Sequence, residues 1–448
     1  MKISNKPVNQ AIAHFRKTDQ KPQSLWDHLV ETGELSGRFA DKIGLREAGE
    51  ILGILHDMGK ASKEFQDYIG SATGIIDPDE DAYVAVNEIR GRIDHSSAGA
   101  QWLYKIFCKK GKEGEIAAQI MALCIASHHS GLIDCLSPQG RNNFKDRMDK
   151  CEEQTHVDEA LDKFSKSEKA KLNEMLSKDV EKQIIKKMKS FRENTDSEET
   201  CAFKYGLFIR YLFSCLIDAD RLSTANFENP SDKQLRNEQY HPWKILIQRM
   251  EKKVKEFKDK KDKNEVDELR NQVSQACLDF STHPKGIYQL TVPTGGGKTL
   301  ASLRFALHHA ACHNMERIFY IIPYTSIIEQ NADEVRKILE DRDEKGQYSF
   351  RVVLEHHSNL TPEEETHRQN LMAQNWDAPI VFTTQVQFFE TLFGYGTRGA
   401  RRMHQLANSV IIFDEVQTIP IRCIQMFNIA LRFLVHDCGS TVVLCTAT

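Results

Sequence analysis

The sequence has no run of eighteen apolar residues, about the least that crosses a membrane as a helix, so no membrane partner is expected. Its eleven cysteines are scattered without a Cys-x-x-Cys pair, which fits a reducing interior better than a disulfide framework or zinc knuckle. A surplus of positive charge is missing too. With a formal net charge of −4 the chain presents no uniformly basic face, and any contact with nucleic acid has to be a local groove. Residues 1–10 are polar and lack the apolar core of a secretory leader, which predicts a cytoplasmic location. Internal repeats and low-complexity tracts are likewise missing. What is present, 40% apolar and 28% charged residues, describes an ordinary globular chain, and 448 residues exceed what one core usually spans. Two domains are expected.

Residues 25–150 carry helical periodicity, with Leu25, Leu29, Thr32, Leu35 and Phe39 on one face and Gly44 closing the element. Residues 151–200 are rich in Lys and Glu with apolar marks at Leu161, Phe164, Leu172 and Met175, the pattern of a solvated amphipathic helical insertion. An apolar helix over 205–216 then delivers the acidic cluster Asp218-Ala-Asp220-Arg221. From residue 229 the chain turns polar, and 249–263 hold eight basic and four acidic residues, which reads as a linker, with a helical strut equally allowed. Beyond residue 269, short β-rich runs at 287–292, 317–322, 380–384, 410–413 and 441–445 alternate with helices, predicting a parallel sheet with crossover helices. The expected fold class is α plus α/β: a mainly helical domain over 1–228, a charged linker over 229–268 and a parallel-sheet domain over 269–448.

Isolated histidines and aspartates mark the first half: His28, the pair His56-Asp57 in Leu52-Gly-Ile-Leu-His56-Asp57-Met-Gly-Lys60, His95 in Asp94-His-Ser-Ser-Ala-Gly-Ala100, His128-His129, and Asp218 or Asp220. A polar ring in an apolar helix is costly without a partner, and imidazole and carboxylate are the ligands of hydrolytic metal sites. A lone histidine is more often a satisfied core residue, but the ordered set supplies enough donors for one or two ions. Two ions close together could stabilise both the attacking and the leaving oxygen of a phosphoryl displacement.

This half resembles the HD-domain phosphohydrolases. The HDxGK run followed by HSxAGA and HHSG narrows the resemblance to the HD nuclease of the CRISPR-associated helicase-nucleases of type I systems. That resemblance implies that His28, His56, Asp57, His95, His128, His129 and Asp218 hold a divalent metal (manganese, nickel, cobalt, iron or magnesium), with Asp218 against Asp220 open, and that Lys60 faces the scissile phosphate. The bland alternative for Lys60 is a cation at a helix C-terminus.

The second constellation is a predicted strand running into Pro293-Thr294-Gly295-Gly296-Gly297-Lys298-Thr299 and a helix. Glycines turn backbone N–H groups toward a phosphate, the helix N-terminus favours its charge, Lys298 reaches the β- and γ-phosphates of ATP, and Thr299 can ligate magnesium. Val292 stands where the strict pattern has its first glycine, which favours superfamily 2 helicases over kinases and GTPases. Downstream, Val410-Ile-Ile-Phe-Asp414-Glu415-Val-Gln417 ends an apolar strand in two acids, Asp414 for the magnesium and Glu415 to polarise the attacking water. It resembles a DExH/D box with Gln417 in the fourth place. Leu269-Arg-Asn-Gln272 resembles an adenine-reading glutamine motif, while Pro323 to Gln330 and Thr383 to Gln387 resemble loops that hold single-strand phosphates. Thr446-Ala-Thr448 resembles the motif coupling hydrolysis to movement.

Together these imply an HD nuclease for single-stranded DNA joined to a first RecA-like lobe, recruited by a guide-RNA surveillance complex in a prokaryotic cytoplasm. The motor of that family needs a second RecA-like lobe, which is not found in these residues. The expectation is a fragment or split gene with the second lobe encoded separately, and an impaired ATPase. Two other readings stay open: an HD phosphohydrolase acting on small nucleotides with a regulatory ATP lobe, and a nuclease-dead DNA-binding or assembly module.

Overall fold

The computed structural model describes residues 11–76, 93–193, 196–236, 240–344, 346–357 and 367–447. They form two compact units, one of residues 1–192, 208–233 and 395–401, the other of 193–207, 234–394 and 402–448.

The first unit is mainly helical. A short antiparallel hairpin, β1 (Ile12–Arg16) and β2 (Lys21–Ser24), leads into α1 (Leu25–Asp41), which packs on α2 (Arg46–Leu55). Leu25, Leu29 and Phe39 from α1 meet Ile51, Leu52 and Leu55 from α2 in the core, as the 3.6-residue period requires. A 3-10 turn, Met58–Ala61, follows, then α3 (Lys63–Thr73), α4 (Ser97–Cys108) and α5 (Gly111–Ser127). The charged stretch after residue 150 is four helices, Glu152–Thr155, Val157–Lys163, Lys166–Ser177 and Val180–Ser190, with Leu172, Leu176, Val180 and Ile184 buried. The long helix Glu198–Glu228 is apolar and long enough to pass a membrane-span test, yet 61% of its most apolar window is buried inside the protein. In this helix Asp218 sits at 0% exposure.

The second unit is a six-stranded sheet in the order β3-β8-β7-β4-β6-β5, every neighbour parallel. The strands are β3 (Ile287–Thr291), β4 (Arg317–Ile322), β5 (Val353–His356), β6 (Ile380–Thr384), β7 (Ser409–Phe413) and β8 (Thr441–Thr446). Five coincide with the runs expected from sequence. The hairpin and β5 were not legible, because four-residue strands such as Val-Leu-Glu-His carry no period of their own.

The segment read as a linker or, equally, a helical strut over 229–268 is helical over most of its described residues. It holds the helices Pro230–Arg236 and Trp243–Lys258, and the second of these sends Leu246, Met250 and Val254 into the core of the sheet unit. Its charges line the outer face. Glu251 takes a bidentate ion pair from Arg304 at 2.6 and 2.7 Å, and the indole of Trp243 donates to the carbonyl of Met315 at 2.7 Å. The domain limits at 228 and 268 therefore give way to the units above.

Candidate functional site

In the first unit, five histidines and a second aspartate converge on one carboxylate. Asp57 Oδ1 lies 3.2 Å from His128 Nε2, 3.7 Å from His95 Nε2 and 3.9 Å from His129 Nε2. Its other oxygen, Oδ2, lies 3.1 Å from His56 Nε2 and 3.6 Å from His28 Nε2. Asp220 Oδ1 completes the second group, 3.4 Å from His56 Nε2 and 3.5 Å from His28 Nε2. The donors thus fall into two sets of four, Asp57-His95-His128-His129 and His28-His56-Asp57-Asp220, with Asp57 common to both.

Local structure dictates this convergence. His56 and Asp57 follow the last turn of α2, and His128 follows α5. The glycines that separate these ligands permit the approach: a Cβ on Gly59 would lie 2.4 Å from the carbonyl oxygen of His95, and one on Gly99 would lie 1.9 Å from that of Leu55. Neither position can carry a side chain without moving a ligand-bearing backbone.

Three of the imidazoles are aimed by their other nitrogen onto a nearby backbone carbonyl. His56 Nδ1 donates to Gly53 O and His128 Nδ1 to Ile125 O, both at 2.7 Å, and His95 Nδ1 to Ile93 O at 3.2 Å. The Nε2 lone pairs therefore face inward. Nε2 of His28, His56 and His128 and Oδ1 of Asp57 are buried without a hydrogen-bond partner, and Nε2 of His95 and of His129 approach to 2.6 Å. Buried acceptors left unpaired and converging are costly unless a cation joins them. Such a donor set fits a pair of divalent ions.

Electrostatics agree. Burial lowers the pKa of His95 to about 4, further lowered by Lys60 and His128, and burial with His128 takes His129 to about 3. Both rings are neutral at physiological pH, as ligands must be. Burial opposes ionisation of Asp57, yet Lys60 and His56 outweigh it and hold the carboxyl well below its ordinary range. His56 runs the other way: the carboxylates of Asp57 and Asp220 overcome its burial and raise it to about 10, so that a cation binding there has to displace a proton from this ring.

Asp218 is a correction to the expected set. Two residues from Asp220 on the same helix, it is turned away from both donor groups and meets Arg401 Nε at 2.5 Å, both side chains buried. An α-helix turns about 200° over two residues, so only one of the pair can face the cluster. Lys60 lies in the 3-10 turn with Nζ 2.8 Å from Asp57 Oδ2. A cavity of about 300 Å³ opens over Asp57, Lys60, His129 and Asp220, with His14, Arg221 and Thr224 on its rim. The rim went unnoticed in the sequence, although Arg221 adjoins Asp220.

In the second unit the predicted nucleotide residues gather at the carboxyl ends of the strands, where open parallel sheets bind ligands. Gly295 and Gly297 adopt φ of 81° and 80°, and Gly297 caps the helix Lys298–Cys312. Lys298 Nζ lies 2.7 Å from Asp414 Oδ1 and also contacts Glu415, whose Oε2 accepts a hydrogen bond from Gln417 Nε2 at 2.6 Å. Thr294, Gly295, Gly297, Lys298, Thr299, Asp414 and Glu415 line one cavity of about 840 Å³. Gly296 packs instead against Val292. Gln272 is exposed and is not in that lining, whereas its neighbours Arg270 and Asn271 line the cavity. Arg270 Nε donates to Gly295 O at 2.8 Å. Thr384 caps the helix Gln385–Phe393, and Thr448 lies outside the described residues.

A family model for the Cas3 HD domain matches residues 4–194, and one for DEAD/DEAH box helicases matches residues 274–448. One chain thus carries a region similar to the Cas3 HD domain followed by a region similar to the DEAD/DEAH box helicases. The match to the Cas3 HD domain takes in every histidine of the cluster with Asp57 and Lys60, and stops short of Asp218 and Asp220. The CRISPR-associated nuclease/helicase Cas3 of Haloferax volcanii is 29% identical over 191 residues, which are 38% of this chain and 20% of that protein. T. fusca Cas3 with ADP superposes with a TM-score of 0.57 at 16% identity, over 98% of this chain and 50% of its own. With AMPPNP the values are 0.56 and 17%, over 98% and 50%. These likenesses show the fold, and the chain spans about half the length of the solved Cas3 structures it matches.

Proposed function

We propose that the chain is the nuclease-helicase of a type I CRISPR interference system, cutting single-stranded DNA at the histidine cluster and binding ATP at the glycine-rich loop. The observation that carries this reading is Asp57, whose two oxygens serve two separate donor sets. His95, His128 and His129 would hold one divalent ion, and His28, His56 and Asp220 another. Bound ions would neutralise the phosphodiester in its displacement and supply a nucleophile at neutral pH. Lys60, beside Asp57 at the cavity floor, offers a positive charge to the phosphate. Five imidazoles favour manganese, iron, cobalt or nickel over magnesium, which prefers oxygen.

In the ATP lobe, Lys298 would take the β- and γ-phosphates, Thr299 and Asp414 would hold magnesium, and Glu415 would orient water. A guide-RNA surveillance complex would present the displaced strand. A site for free nucleotides is disfavoured by the helicase-family lobe, which has no task in hydrolysing them.

Protein stripped of metal should be inactive and should cleave single-stranded DNA when manganese or nickel is restored, without ATP. His56→Ala and Asp57→Ala should abolish cleavage and lower bound metal while far-UV circular dichroism stays unchanged. Undiminished cleavage in both variants would sink the assignment.

A further inference from the structure

His28 is aimed differently from the other histidines whose Nδ1 contacts are described above. Where those three use backbone carbonyls within three residues, His28 Nδ1 meets a side chain 195 positions away, Ser223 Oγ, at 3.1 Å. Ser223 Oγ in turn lies 2.9 Å from Glu31 Oε2, and Lys233 Nζ closes the chain 3.2 Å from Glu31 Oε1.

The proton count fixes the direction. A carboxylate accepts only, and a serine hydroxyl has one hydrogen. That hydrogen goes to Glu31, so Ser223 turns a lone pair to His28, and Nδ1 must carry the imidazole hydrogen. Nε2 is left with its lone pair, buried and unpartnered, 3.6 Å from Asp57 Oδ2 and 3.5 Å from Asp220 Oδ1. Reversing the ring would set two lone pairs against each other at Ser223.

We propose that Glu31 and Ser223 are positioning residues, a relay that sets the tautomer and angle of His28 for a divalent ion in the His28-His56-Asp57-Asp220 half of the centre. The relay also raises the donor strength of His28, because a carboxylate at the far end pulls the Nδ1 hydrogen outward through Ser223. Outer partners of this kind contribute about 10- to 100-fold in metal affinity. The inference rests on the metal-centre reading above.

The test is manganese titration of the full chain against a competing chelator, with electron paramagnetic resonance to distinguish a coupled pair of ions from a single one. Wild type should take two ions and show coupling. Ser223→Ala and Glu31→Ala should each weaken one of the two ions about 10- to 100-fold, leave the other within about twofold, and convert the coupled signal to that of a single ion at limiting manganese. The double variant should be no worse than either single one, since the two act in series. Glu31 is 30% exposed at its side chain, so its alanine variant is the one to use if Ser223→Ala fails to fold. Equal weakening of both ions, or none, would overturn the relay. Absence of any manganese binding by wild type would instead overturn the metal centre itself.

Discussion

At the scale of single residues, the two aspartates of the Asp218-Ala-Asp220 cluster separate cleanly. Asp220→Asn should lower bound metal and cleavage together, because it takes a ligand oxygen from one donor set. Asp218→Asn should leave metal content near wild type and instead lower the melting temperature, since a buried charge opposite Arg401 is lost at a cost on the order of 3 kcal/mol. Metal analysis beside a melting curve decides it, and the reverse pattern would return Asp218 to the cluster. The histidines were legible in the sequence because a polar ring among Leu, Ile and Ala stands out. The choice between the aspartates was not, because which face of the long helix meets α1 and α2 is a matter of packing. The place of Gln272 was not legible for the same reason: neighbours on one helix point in different directions, and only the fold puts Arg270 and Asn271 in the cavity lining and Gln272 outside it.

At the scale of elements, the glycines of the HDxGK and HSxAGA runs act through contact distance. Gly99→Ala forces a methyl to within 1.9 Å of the Leu55 carbonyl oxygen, and the strand of backbone carrying His56 has to shift. The expected loss is about 1–3 kcal/mol, the usual range for overpacking, read by chemical denaturation, with reduced metal affinity alongside it. An unchanged midpoint would mean that α2 and α4 yield more easily than their packing implies. The helix Trp243–Lys258 gives the opposite lesson. Its alternating basic and acidic residues hid a buried stripe of Leu246, Met250 and Val254, which a charge count over the same window cannot reveal. Leu246→Ala should cost about 2–5 kcal/mol, where a linker residue would cost almost nothing, and denaturant unfolding of the full chain measures the difference. The parallel strands β4, β6, β7 and β8 were legible because they are mostly apolar runs buried on both faces.

At the scale of the whole molecule, each chemistry is built from residues of its own unit. The metal cluster draws only on the helical unit, and the phosphate loop with Asp414 and Glu415 only on the sheet unit. Lys298→Ala should therefore abolish binding of a fluorescent ATP analogue and leave ATP-independent cleavage of single strands within about twofold of wild type. Loss of both would show that the two chemistries share more than a chain. Asp57 carries a further consequence for the helical unit. A single carboxylate serving two cations makes their loading a joint equilibrium, in which whatever the first ion does to the affinity of the second is returned in equal measure. If the proposed centre is correct, cleavage should follow free divalent metal along a curve that no pair of independent binding isotherms reproduces, its steepness fixed by what one ion does to the other through that shared carboxylate.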